Sequence, residues 1–132
     1  VRIYQDEPLN EFILEYPKRP WTTNSERAGN RWKRAELTKE WRQAFMLLAK
    51  QAKIPRLGKV FIRVEPFQLK GKLQDTASCN PAVKAAIDGL VDAGVIKDDT
   101  PEFLPKILFC APEKGREALR LVIIEIRDDE ND

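Results

Sequence analysis

Residues 75–101 read DTASCNPAVKAAIDGLVDAGVIKDDTP, and the punctuation in that run confines the chain to one short helix. Asn80-Pro81 is a helix start: a capping side chain followed by proline at the first helical position, where a missing N–H costs nothing. Gly94 is a left-handed stop. Between them Val83, Ile87, Leu90 and Val91 recur at helical spacing and make an apolar stripe, while Lys84, Asp88 and Asp92 fall at i, i+4 and i+8 along another. Upstream, Lys59–Phe67 (KVFIRVEPF) alternates Val60, Ile62 and Val64 with outward Arg63 and Glu65, the pattern of a strand with one wet face. A one-faced strand and a one-striped helix each need a packing layer, and together they supply one.

The rest of the chain extends this unit. Phe12–Tyr16 reads as a first strand ended by Pro17 and Pro20. Pro20–Arg34 reads as a polar loop holding Asn24, Arg27, Arg31, Lys33 and Arg34. Thr38 is placed to cap a helix running to about Lys53, with Trp41, Ala44, Phe45, Leu48 and Ala52 facing inward and Ile54-Pro55 as its stop. Gln68–Asn80 forms a second polar loop. Leu104–Ala111 and Leu119–Ile126 read as two final strands, with the Lys114-Gly115 turn between them. The order β-α-β-α-β-β predicts a single α+β domain over residues 1–132, a mixed sheet with two main helices, and an acidic tail at 127–132 expected to fray.

Composition narrows the function classes. No apolar run approaches the roughly 20 residues that span a bilayer, and no secretory pattern opens the chain, so a cytoplasmic protein without a membrane partner is expected. Cys79 and Cys110 lack the spacing of a zinc pair and read as free thiols, although sequence does not exclude a disulfide. No Gly-rich phosphate loop is present, which argues against a nucleotide hydrolase, and no organic cofactor is implied. Charge is divided unevenly: residues 1–74 carry 16 cations and 8 carboxylates, residues 75–132 carry 7 and 13. The basic half, including Lys70 and Lys72, suits a nucleic-acid face or simply a solvated surface.

The chain has no histidine, so carboxylates are its main acid/base groups and metal ligands. They bracket the short helix: Asp75 before it, Asp88 and Asp92 on it, Asp98 and Asp99 after it, with Lys84 among them. Such a set fits metal-assisted phosphodiester chemistry, in which a lysine offsets developing charge. It also fits a plain Lys84–Asp88 surface pair and a polar turn at Asp98-Asp99.

The spacing from Asp75 through Lys84 and Asp88 to Leu90, Ala93-Gly94 and Asp98-Asp99 resembles the signature of the RusA family of Holliday junction resolvases, especially its phage and prophage members. Pro20–Asn24 (PWTTN) is similar to that family's early Pro-rich loop, and the element order matches along nearly the whole chain. The resemblance implies a RusA-like fold, a homodimer, and a phage-type DNA recombination and repair enzyme of the bacterial cytoplasm. It would cut four-way or other branched DNA with Mg²⁺, Mn²⁺ being the natural substitute. It makes Asp75 and Asp99 the principal metal ligands, Asp98 a supporting one and Lys84 the charge-stabilising group, with Asn24, Arg27, Arg31, Lys33, Arg34, Lys70 and Lys72 on the DNA backbone. The chain departs from the signature where Ala77 and Ser78 replace an Asp-Asn pair and Cys79–Pro81 form a short insertion. Asp88 or Ser78 would then stand in through a water, or the protein binds junctions and cuts them weakly or not at all. A 13-residue helix is roughly 20 Å long. Asp75 and Asp99 can therefore share an ion only if the loop before the helix doubles back or a partner subunit supplies one of them.

Overall fold

The computed structural model describes residues 10–23 and 31–127. Asn24 and Arg27 of the expected DNA-binding loop, and the acidic tail beyond Arg127, lie outside the described residues. The described strands are β1 (Asn10–Tyr16), β2 (Lys59–Gln68), β3 (Lys106–Phe109), β4 (Glu113–Lys114) and β5 (Ala118–Ile126); the helices are α1 (Arg31–Gln51) and α2 (Asn80–Asp92). This is the expected α+β class and order, with the two-residue β4 interposed before the last strand.

The sheet order is β1-β5-β2-β3, with β4 also on β2. β5 runs antiparallel to both β1 and β2, whereas β3 and β4 are parallel to β2. Parallel neighbours need a crossover, and α2 is that crossover. The period-2 pattern decides what faces inward. Val60, Ile62 and Val64 of β2 and Leu119, Leu121 and Ile123 of β5 are buried with Trp41 and Phe45 of α1 and Val83, Ala86 and Leu90 of α2 in one core. Val122, Ile124 and Ile126 point the other way and form a small second cluster with Phe61.

Four local expectations are corrected. Thr38 is not a cap: it lies within α1, where its hydroxyl donates to the Arg34 carbonyl 2.9 Å away. Ala49, not Ala52, completes the buried face of α1 with Trp41 and Phe45. Asn80 is the first residue of α2 rather than its cap; Cys79 takes the cap position without a side-chain hydrogen bond, and Pro81 still sits in the first turn. The strand expected at Leu104–Ala111 is trimmed at both ends to Lys106–Phe109, whereas the last strand begins one residue earlier than expected, at Ala118.

Both helices close with the same device. Ile54 N–H bonds the Ala49 carbonyl and Lys53 N–H the Lys50 carbonyl after α1; Val95 N–H bonds Leu90 and Gly94 N–H bonds Val91 after α2. These are Schellman pairings, and they put Lys53 (φ 56°) and Gly94 (φ 83°) in the left-handed region. Gly89 is the other glycine with a fixed reason: a Cβ there would stand 2.3 Å from the Arg42 carbonyl oxygen and 2.9 Å from the Met46 nitrogen, so α1 and α2 meet backbone to backbone.

Candidate functional site

The N-terminal end of α2 carries an open groove. Its first part is a turn in which Ser78 N–H and the Ser78 hydroxyl both donate to the Asp75 carbonyl, at 3.0 and 2.7 Å. Ala77 holds φ 71° in that turn, and Asn80 N–H bonds its carbonyl. The segment Thr22-Thr23 is laid against the turn by the Thr23 N–H to Ser78 carbonyl bond of 2.9 Å. On one side of this strap Thr22, Lys72, Leu73, Gln74, Asp75 and Ser78 line a hollow of ≈ 240 Å³. On the other, Trp21, Thr23, Thr38, Asn80, Lys84 and Asp88 are among the residues lining a second, ≈ 400 Å³. Lys72, Asp75 and Lys84 are exposed and Asp88 half-buried. An exposed carboxylate beside a lysine in an open hollow can meet a phosphate edge, with the ammonium group offsetting its charge.

Aromatic packing backs the groove. Trp21 meets Trp41 edge-on at 5.9 Å, and Tyr16 meets Trp41 edge-on at 4.9 Å. The Tyr16 hydroxyl donates to Glu40 at 2.5 Å, and Lys18 donates to both Glu40 oxygens at 2.8 and 3.0 Å. The bond to Glu40, helped by burial, pushes the Tyr16 hydroxyl up to about 12. Burial pushes Glu40 upward, but the Lys18 and Tyr16 bonds outweigh it and hold the carboxyl below its ordinary range.

The loop carrying Lys70, Lys72 and Leu73 toward Asp75 is fastened by side chains from elsewhere. Buried Gln68, at the end of β2, donates to the Lys70 and Lys72 carbonyls at 3.2 and 2.8 Å and accepts from Gln74 N–H at 2.9 Å. Leu69 N–H donates to Glu117 at 2.5 Å, and Arg19 donates to both Glu117 and the Lys70 carbonyl. Sequence reading missed Gln68 entirely, because nothing distinguishes a glutamine that ends a strand from one that begins a loop.

The acidic residues after α2 are elsewhere. Arg42 grips Asp92 through two bonds of 2.6 and 2.9 Å, which ties the C-terminal end of α2 to α1 and holds the Asp92 carboxyl below its ordinary range. Asp98 and Asp99 follow in an exposed turn, where Asp99 N–H donates to Asp98 Oδ1 at 2.8 Å. That turn leads to Phe103, whose carbonyl accepts from Val60 N–H at the start of β2. Asp75 follows the end of β2 instead. The structure therefore puts Lys72 with Asp75 in one hollow and Lys84 with Asp88 in the other, both at the start of α2, and leaves Asp98 and Asp99 beyond the other end of that helix. The loop before α2 does not double back. Among the described residues no three Asp, Glu or Cys side chains are grouped so as to hold a metal ion. Arg31, Lys33 and Arg34 lie in α1, not in a loop as expected.

Among the described residues, no helix is long and apolar enough to cross a membrane. Compared with known proteins, the chain matches no family model and no curated protein.

Proposed function

We propose that this chain is a Mg²⁺-dependent endonuclease of four-way or otherwise branched DNA, of the kind its acid and lysine spacing resembles, acting as a homodimer. The observation that carries the reading is the pair of hollows at the start of α2, where exposed Asp75 shares one with Lys72 and Lys84 shares the other with Asp88. The lysines would offset charge on the phosphate, and Lys70 with Arg31, Lys33 and Arg34 would hold flanking backbone, contacts that read shape rather than sequence.

Among the described residues, those of one chain do not fit a bound cation. Ser78 turns its hydroxyl to the Asp75 carbonyl, and Asp98 and Asp99 lie beyond the other end of the helix. A two-fold dimer that sets the start of one α2 beside the end of the other would bring Asp98 and Asp99 of a second chain to Asp75, and would do so twice, in the symmetry of a four-way junction. A Mg²⁺ or Mn²⁺ ion held there would supply an activated water and charge neutralisation.

The test is nicking of a four-way DNA junction in Mg²⁺ and in Mn²⁺ by the wild-type chain and by Asp75→Asn. The substituted protein should lose cutting and keep or improve its affinity, because one carboxylate no longer repels phosphate. Wild-type affinity should fall steeply with salt. Equal nicking by Asp75→Asn, or an affinity flat in salt, would remove the reading. A second reading is a branched-DNA-binding protein that does not cut, and Ala77 favours it: a methyl group at the turn of the groove cannot ligate a cation. Intact junction binding without nicking in either metal would select it.

A further inference from the structure

We infer that the loop of residues 69–74 is a preformed wedge for the DNA stack, with exposed Leu73 as its inserting side chain; the inference rests on the proposed branched-DNA substrate. The loop is held as few surface loops are. Gln68, Glu117 and Arg19 hold the backbone of Leu69, Lys70, Lys72 and Gln74, and Lys114 donates to the Gly71 carbonyl. Gly71, at φ 89°, makes the bend that no other residue adopts without strain.

What the loop presents is at odds with that fastening. Leu69 is 53% exposed and Leu73 44% exposed, and Lys70 and Lys72 are exposed beside them. Fixing a loop costs about 1–2 kcal/mol of backbone entropy per residue, and neither leucine is buried to offset it. The order therefore serves something outside the fold. An apolar side chain flanked by cations suits a partner that is anionic outside and apolar within, which describes a stack of bases between phosphates. Proteins insert leucine between base steps at a cost of a few kcal/mol of lost stacking. That cost is lower at a branch, where stacking is already interrupted. Leu73 lines the same hollow as Lys72 and Asp75, so a step opened by Leu73 would lie next to the candidate cutting residue.

The experiment uses a four-way DNA with 2-aminopurine at the branch, and the same label in plain duplex, in EDTA so that cutting is not read. Wild-type protein at saturation should raise the fluorescence of the branch label and leave the duplex label unchanged. Leu73→Ser, at an exposed position, should reduce the rise to less than about a third and weaken branch binding about tenfold, whereas Leu73→Phe should preserve both. Lys72→Ala should weaken both DNAs and reduce the salt slope by about one, without changing the rise at saturation. A branch label that stays dark with bound wild-type protein overturns the wedge, as does a full rise with Leu73→Ser, and either leaves the nuclease reading standing. No preference for four-way over duplex DNA overturns both.

Discussion

Asp75 precedes the first turn of α2 and Asp99 follows its last, so a helix of 13 residues, about 20 Å long, separates the two carboxylates within one chain. If they share a cation, they share it across two chains. Asp75→Asn and Asp99→Asn should each abolish nicking alone. Mixed and re-equilibrated in equal amounts, they should form mixed dimers in about half of the population, each with one intact groove and one doubly substituted groove, so nicking recovers to about a quarter of wild type. Sites built within single chains would show no recovery. The measurement is junction nicking before and after mixing.

Lys53 and Gly94 occupy the same left-handed position in equivalent helix endings, which makes one a control for the other. A side chain in that region costs about 1–2 kcal/mol, while glycine gives back about 0.5–1 kcal/mol through the unfolded chain. Lys53→Gly should therefore stabilise by about 0.5–1 kcal/mol. Gly94→Ala should destabilise by a similar amount, since Arg56 at 3.8 Å leaves space for the methyl group and only the backbone objects. Denaturant midpoints of both variants check the pair.

Much of this architecture was readable because single residues act through local chemistry. Pro81 and Gly94 bound α2, and alternation at Val60, Ile62 and Val64 marks β2 and its buried face. That residues 31–37 belong to α1 was not readable, because the stretch has no apolar period. Thr38 looks like a cap because the hydroxyl that caps a helix can equally bond back inside one. At the site, Lys84 and Asp88 were predictable neighbours from helical spacing. The fastening by Glu117 was not, because it joins parts of the chain 48 residues apart, and the Gln68 bonds, though local, leave no mark in the residue types around them.

Gly89 should tolerate nothing larger. Alanine would gain about 1 kcal/mol in helix propensity. Its Cβ, however, would enter the α1 backbone, 2.3 Å from the Arg42 oxygen, and neither partner is a flexible side chain that can move aside. Overpacking of this kind costs about 3 kcal/mol, so the net expectation for Gly89→Ala is a loss of about 2 kcal/mol. Because α1 must shift, the Arg42–Asp92 pair should also loosen. Thermal unfolding reads the first effect, and reduced amide protection near residues 42–46 and 88–92 reads the second. A variant as stable as wild type would mean that the two helices do not touch in solution.

The Tyr16–Glu40 bond ties stability to pH at both extremes. Tyr16 is raised from 10.0 to about 12, chiefly by its bond to Glu40. A group raised on folding contributes fully below its unfolded value, so this contribution is intact below pH 10 and lost as pH climbs through 12. Glu40 is opposed by burial but lowered overall by Lys18 and Tyr16, from 4.5. Its contribution is present above pH 4.5 and lost as pH falls through the lowered value. Glu40→Gln removes the charge from both linkages. The later of the chain's two tyrosine ionisations, followed by ultraviolet absorbance, should move down from about 12 toward 10 in that variant. The loss of stability between pH 10 and 12 should shrink with it. An unchanged late ionisation would show that Glu40 does not hold the Tyr16 proton.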